Sequence, residues 1–184
     1  MSKSLLSYDA LCRLVEDGVI DAPLEHVGSV SIDLRLGDRL MVEDFSTTPY
    51  TVADPARGIG PKLLAVEIPE HGYILRPGQF ALASTIETFH MPNDLACEFR
   101  LRSSMGRAGM GHALACFVDA GFHGQLTLEI HNLLQRSSLI LRAGMRIGQA
   151  IFQRCDPVPA DRSYAKRGRY NGQTGPTESK GVAP

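Results

Sequence analysis

Glu98–Asn132 reads EFRLRSSMGRAGMGHALACFVDAGFHGQLTLEIHN, and its last part decides the fold. Gln125-Leu126-Thr127-Leu128-Glu129-Ile130-His131 alternates apolar and polar residues with period two, the pattern of a strand with one buried face. By parity Leu126, Leu128 and Ile130 share one face, while Gln125, Thr127, Glu129 and His131 share the other. Just before it, Asp119-Ala120-Gly121 reads as a turn. The first part sets Arg100, Arg102 and Arg107 around Ser103-Ser104, interrupted by Gly106 and Gly109. Guanidinium groups, hydroxyls and glycine-freed backbone amides are what a phosphate chain needs. A carboxylate on a rigid strand near such a loop has the makings of an active site. The same residues also fit a solvated turn and a strand glutamate facing water, and the pattern alone keeps both readings.

At 184 residues the chain is expected to form a single domain with a substantial core. Its net charge of -1 argues against a generic nucleic-acid or membrane-surface protein. The basic residues are skewed: of 19 Lys and Arg, 4 are Lys and 15 are Arg. Arg is the residue of bidentate phosphate and carboxylate recognition, so the skew favours an anionic ligand. No long apolar run or signal-peptide core is present, which predicts a soluble, cytoplasmic protein. Cys12, Cys97, Cys116 and Cys155 contain no close pair, and the six histidines make no HxxxH or HxH. These spacings fit neither a disulfide framework nor a zinc site, so any catalysis is expected to proceed without protein-bound zinc.

Elsewhere the signals are mostly those of strands and turns. Ser4–Val19 is predicted as a short N-terminal helix, with Leu11, Leu14 and Val15 at helical spacing, Ser7 as cap and Gly18 as stop. Ser29–Leu36 alternates and closes at Gly37-Asp38. Its Asp33 and Arg35 suit either an ion pair or ligand groups. Glu43–Gly60 reads as a long surface connection. Tyr73–Ala83 and Leu139–Ile147 each place a turn, Pro77-Gly78 or Ala143-Gly144, between apolar stretches, and are predicted as two hairpins. Gln149–Phe152 continues as strand. Asp161–Pro184 has little to bury and reads as either a disordered tail or a mobile flap carrying Tyr164, Arg167, Arg169, Tyr170 and Gln173. Many short strands with one helix predict a mainly β fold, a barrel or sandwich.

Five segments then resemble, in order, the motifs of the dCTP deaminase family within the dUTPase-like superfamily. They are Ser31–Gly37, the Arg-Ser-Ser-x-x-Arg run Arg102–Arg107, Phe117–Gly124, Gly144–Gln149, and the C-terminal Arg169–Pro176. The resemblance implies a distorted β-barrel of the dUTPase-like type, a homotrimer with sites shared between subunits, and a flexible C-terminal flap over 161–184. It implies hydrolytic deamination of dCTP to dUTP and ammonia, with Mg²⁺ arriving on the triphosphate and dTTP as an inhibitor. The zinc-deaminase signature is absent. Glu129 matches the family's catalytic carboxylate, supported by Arg107 and Ser103. Arg102, Ser103 and Ser104 would hold phosphate or the attacking water. Ala115 lies in the stretch framing the reacting end of the base, and Thr127 and Leu128 would read the pyrimidine edge, largely through backbone. Asp119 would bond the 3′-hydroxyl, Phe122 would exclude a 2′-hydroxyl, and Gln149, Tyr164, Arg169 and Gln173 would close over the nucleotide. Three features depart from the family pattern: Leu114 where Thr is usual, Cys116, and Arg169 where Lys is usual. Alternatives are a bifunctional enzyme forming dUMP and pyrophosphate, a plain dUTPase, a deaminase of modified dCTP, or a catalytically silent nucleotide-binding trimer.

Overall fold

Frequent Gly and Pro turns cut this chain into short strands, and their pairing decides where the site lies. A computed structural model describes residues 5–44, 46, 52–113 and 115–181. In chain order these give α1 (Tyr8–Glu16), β1 (Ile32–Arg35), β2 (Arg39–Glu43), β3 (Leu63–Glu67), β4 (Tyr73–Leu75), β5 (Phe80–His90) and β6 (Leu95–Leu101). There follow α2 (Ser103–Arg107), β7 (Met110–His112), β8 (Phe117–Val118), β9 (His123–Asn132), β10 (Leu139–Leu141), β11 (Arg146–Arg154) and α3 (Tyr164–Arg167). The strands form a four-stranded sheet β1-β11-β6-β8, a five-stranded sheet β3-β2-β5-β9-β7, and the separate pair β10-β4. The fold is mainly β, as expected. The ladders stay three among the described residues and do not join into one closed barrel. None of the described helices is long and apolar enough to cross a membrane.

The alternating run is the body of β9, buried at Leu126, Leu128 and Ile130 and half-buried at Gln125, Thr127, Glu129 and His131. The predicted helix is shorter than its sequence signal. Leu6 donates to the Phe152 carbonyl, which holds the preceding residues extended against β11, and α1 starts only at Tyr8. Ser7 stands at the cap position but its side chain makes no capping bond. Gly18 ends the helix as predicted, at φ +71°.

The two hairpins are the main correction. Both turns form, with Gln79 N–H donating to Arg76 and Met145 N–H to Arg142, and with Gly78 and Gly144 at positive φ. The strands before and after each turn do not pair with each other. Instead β4 pairs with β10, Leu75 opposite Leu139 and Tyr73 opposite Leu141, while β5 pairs with β2 and β9. The two short strands pair with each other, and burial of Leu75 and Leu141 wins over proximity in sequence. The described part of the tail is hydrogen-bonded to the body of the fold. Ser163 is buried and accepts from Ala165 N–H as the cap of α3, and its hydroxyl donates to Asn93.

One buried carboxylate ties the two large sheets together. Ser84 faces Thr127 and Thr88 faces Gln125, so three residues of β5 (85–87) stand opposite one of β9, Leu126, an excess of two. This bulge is completed by side chains: Leu126 N–H donates to Thr85 Oγ1, and Thr85 donates to the Glu87 carbonyl. It turns Glu87 inward, fully buried, where one carboxylate oxygen accepts from the Arg35 backbone N–H at 2.9 Å and the other from Arg35 Nε at 2.8 Å. Arg35 sits where β1 itself slips register against β11. Removing one partner of such a pair leaves an uncompensated buried charge. Arg35→Ala is therefore expected to lower stability by about 3 kcal/mol, read as the shift in urea midpoint at unchanged slope. A loss below about 1 kcal/mol, the level of an exposed pair, would show that the carboxylate is held by the backbone bond alone.

Candidate active site

Glu129 points from the polar face of β9 into a cavity of about 470 Å³. Its floor is β9 at Leu126, Thr127 and Glu129 with Phe80 and Leu82 of β5 beside them, and Asp119 and Phe122 of the turn close one end. Tyr164, Tyr170, Gln173 and Thr177–Ser179 of the tail, with Gly60 and Pro61, form the roof. The tail is laid along the start of β9. Asn171 Oδ1 accepts from His123 N–H (2.8 Å), and Gly172 N–H donates to His123 (2.7 Å). Gln125 N–H donates to Gln173 (3.0 Å), the Gln173 amide donates back to Gln125 (2.8 Å), and Thr177 N–H reaches Thr127 Oγ1 (3.1 Å). Such contact requires glycine at 124, since a Cβ there would sit 2.6 Å from the Gln173 carbonyl oxygen, at φ +129°.

The electrostatics of the pocket follow from burial. Withdrawal from water raises the Glu129 carboxyl above its ordinary value, opposed by hydrogen bonds from its own backbone and from Cys116. Asp119 is raised for the same reason, and burial likewise raises the Tyr164 phenol. His112, behind Glu129 and packed on Phe99, is pushed down to about 4 by burial and then by His131, so its imidazole is neutral at pH 7. Cys116 donates to the Thr127 carbonyl at 3.0 Å, and its thiol is raised by burial and by Glu129. Two buried polar atoms here have no partner among the described residues: His112 Nε2 and Gln173 Oε1. The pocket offers a carboxylate with raised proton affinity, an apolar wall and one unpaired amide oxygen, of Gln173, which suits proton transfer to and from a flat polar ring.

The structure divides the predicted site residues in two. Ala115, Asp119, Phe122, Thr127, Glu129, Tyr164 and Gln173 all line the cavity. Leu128 is fully buried beneath it, so only its backbone is available to a ligand. Arg102, Ser103, Ser104, Arg107 and Gln149 are absent from the lining, which contains no Arg or Lys among the described residues. These residues belong to a separate polar cluster on the four-stranded sheet and α2. Asp33 pairs with Arg102 and with Arg146 Nη1 (3.4 Å), and Gln149 donates to Ser31 (3.1 Å) and Asp33 (3.2 Å). Of the two readings open for Asp33 and Arg35, both are ion-paired, but to different partners. Ser103, Ser104 and Arg107 are exposed on α2. Arg169 lies in a depression adjoining the cavity, with Arg162, Arg167 and Asp119, and donates to Lys180 and Gly181 carbonyls. Sequence alone does not single out Arg162 or Thr177, because tail composition gives no geometry. Leu114 lies outside the described residues.

Comparison with known proteins places this geometry. Residues 5–155 match the family model described as dCTP deaminase-like. A protein of Dictyoglomus thermophilum named "dCTP deaminase, dUMP-forming" is 39% identical over 186 residues, covering 96% of this chain and 94% of that protein. A "dCTP deaminase" of Halorubrum lacusprofundi is 37% identical over 184 residues, covering 96% and 90%. Among solved structures, the 2′-deoxycytidine 5′-triphosphate deaminase from Agrobacterium tumefaciens shares the fold with a TM-score of 0.64 at 23% identity. That likeness covers 84% of this chain, which spans about half (49%) of that longer one. With a family model over most of its length and relatives near 40% identity, the chain belongs to the dCTP deaminase-like family.

Proposed function

We propose that the protein deaminates dCTP to dUTP and ammonia in pyrimidine deoxynucleotide metabolism, in the cytoplasm, with Glu129 as general base. The observation that carries this is the raised, half-buried Glu129 carboxylate facing a cavity of about 470 Å³. In the reaction a water adds to C4 of the cytosine while Glu129 takes one of its protons and passes it to N3. The remaining hydroxyl proton then moves, again by way of Glu129, to the exocyclic amine, and ammonia leaves as the C4 carbonyl forms. A carboxylate with raised proton affinity is better matched to both transfers than an ordinary one. Asp119 would hold the 3′-hydroxyl, and Phe122, edge-on against Tyr164 with ring centroids 5.7 Å apart, would exclude a 2′-hydroxyl by bulk. Thr127 and the Leu128 backbone read the base edge, with Ala115 beside the reacting end. A second reading, continued cleavage to dUMP and pyrophosphate, is favoured by the names of several relatives.

A triphosphate needs cations that this chain's own cavity lining lacks. We infer a homotrimer in which Arg102, Ser103, Ser104, Arg107 and Gln149 of one subunit complete the cavity of another, with Arg169 and Gln173 closing over the nucleotide. Ile74 and Ile140, directly opposite on β4 and β10, are 55% and 48% exposed, an apolar pair that such an assembly would cover. Mg²⁺ is assigned to the substrate: it prefers oxygen donors, and the one three-donor cluster among the described residues presents nitrogen and sulfur as well.

Glu129→Gln keeps size and one acceptor but cannot take a proton. It is expected to lower deamination by at least about 10³-fold while nucleotide affinity stays within about tenfold. In the unmodified enzyme kcat/KM should rise with pH on a limb whose midpoint lies above that of an ordinary glutamate, because only the deprotonated form acts as base. Product analysis with dCTP, dUTP and Mg²⁺ separates dUTP from dUMP formation. Retained deamination in Glu129→Gln would remove the base assignment, and no product from either nucleotide would favour a silent binding protein.

Mixing Arg107→Ala chains with Glu129→Gln chains should restore some activity, since a shared site can receive its intact half from each. Mixed oligomers without recovery would place a complete site in each subunit. The tail gives a third expectation. Gly124→Ala should displace residues 171–177 and reduce turnover about tenfold or more, roughly 1.4 kcal/mol, with the sheets intact by circular dichroism. Hydrogen exchange over 161–176 should slow with a non-hydrolysable dCTP analogue, and identical exchange in both states would show that the tail does not close.

A further inference from the structure

His112 of β7, Cys116 of the following connection and Glu129 of β9 converge behind the cavity floor. His112 Nε2 lies 3.6 Å from Glu129 Oε2, Cys116 Sγ lies 3.9 Å from the same oxygen, and all three atoms fall within 4.8 Å of one another. A tetrahedral ion bonded at about 2.0 Å to nitrogen and oxygen and about 2.3 Å to sulfur holds its ligands roughly 3.3–3.6 Å apart. Two of the three edges already stand within a few tenths of an ångström of that figure.

A second observation does not depend on this spacing. The His112 side chain is only 4% exposed, and its Nε2 has no hydrogen-bond partner among the described residues. Buried polar nitrogens normally have one, and 3.6 Å to Glu129 is too long to be one. A nitrogen, a sulfur and a carboxylate oxygen together select Zn²⁺ or a similar borderline-soft ion over Mg²⁺ or Ca²⁺. Cys116 and Glu129 also line the cavity, so the fourth position opens onto it.

We propose that His112, Cys116 and Glu129 form an inhibitory Zn²⁺ site. Binding forms a zinc–sulfur bond as the Cys116 S–H bond breaks, with the proton released to solvent, and it draws the Glu129 carboxylate into coordination. Glu129 then cannot accept a proton from the attacking water. The inhibition rests on Glu129 being the base of the deamination, whereas the binding does not.

The test uses the full chain, stripped of metal and kept reduced. It is titrated with Co²⁺ as a spectroscopic probe and with Zn²⁺ against a chromophoric chelator. One ion per chain is expected, with a thiolate-to-cobalt charge-transfer band that vanishes in Cys116→Ser. Zn²⁺ affinity should fall at least about a hundredfold in Cys116→Ser and His112→Ala, since losing a ligand exceeds the 10–100-fold cost of losing an outer partner. Cys155→Ser, which alters an exposed thiol, should keep both band and affinity. If the ligand variants fail to fold, alkylation mapped on the unmodified protein decides: Zn²⁺ should slow modification of Cys116 at least about tenfold. Absence of a stoichiometric ion, a band that persists in folded Cys116→Ser, or an unprotected Cys116 would overturn the site. Stoichiometric binding with undiminished deamination would overturn the inhibition. Deamination by Glu129→Gln would remove the inhibition together with the base assignment and leave the binding result standing.

Discussion

The fold turns on the fully buried carboxylate of Glu87. It accepts from both backbone and side chain of Arg35, so a single group fixes the places where β1 and β5 each leave regular register. Bulges are ways of re-aiming a strand without ending it. Here the bulge takes up two extra residues of β5, so β9 keeps its alternation of buried and more exposed residues on both sides of it. A slip of one residue would exchange the faces of β9, sending Glu129 into the core and Leu128 into the pocket. The position of the proposed base is thus secured by an ion pair that lies outside the cavity lining.

The division of the binding residues has an electrostatic reason. A cavity that must raise a carboxylate's proton affinity cannot also hold a row of guanidinium groups, because nearby positive charge would push the same carboxyl down. Arg102 and Arg146 are kept on another face, held by Asp33, with Gln149 joined to the same acid. In the proposed homotrimer, assembly would bring these cations to the phosphate end of the nucleotide while the base stays in a cavity whose described lining has no Arg or Lys.

Much of this was legible in the residues. Strict alternation over 125–131 gave the face of every residue in that strand, and the turn glycines 18, 78 and 144 were identified by position and have positive φ. Pairing was not legible. Tyr73–Leu75 and Leu139–Leu141 are similar in pattern, and local sequence could not say that they were partners. Glu87 gave no signal either, since an acid in an apolar run reads as an exposed position until the bulge is seen. Where the tail rests was not legible either, since its composition has little to bury and its contacts are hydrogen bonds to the start of β9. The cluster of His112 and Cys116 with Glu129 was not legible, because Glu129 comes from a strand position 13 residues beyond Cys116.

The tail's attachment to β9 has a consequence for behaviour in solution. Every bond described between residues 171–177 and the strand joins neutral amides, carbonyls or a hydroxyl, with no ion pair among them. Added salt screens charge–charge attraction over about 8–10 Å but leaves such contacts nearly untouched. Capture of a polyanion and closure of the roof therefore answer to different variables. Ionic strength governs the first, while the second responds to agents that compete for peptide hydrogen bonds, such as urea. If the tail closes as proposed, capture and closure could be slowed independently in one protein without altering a residue.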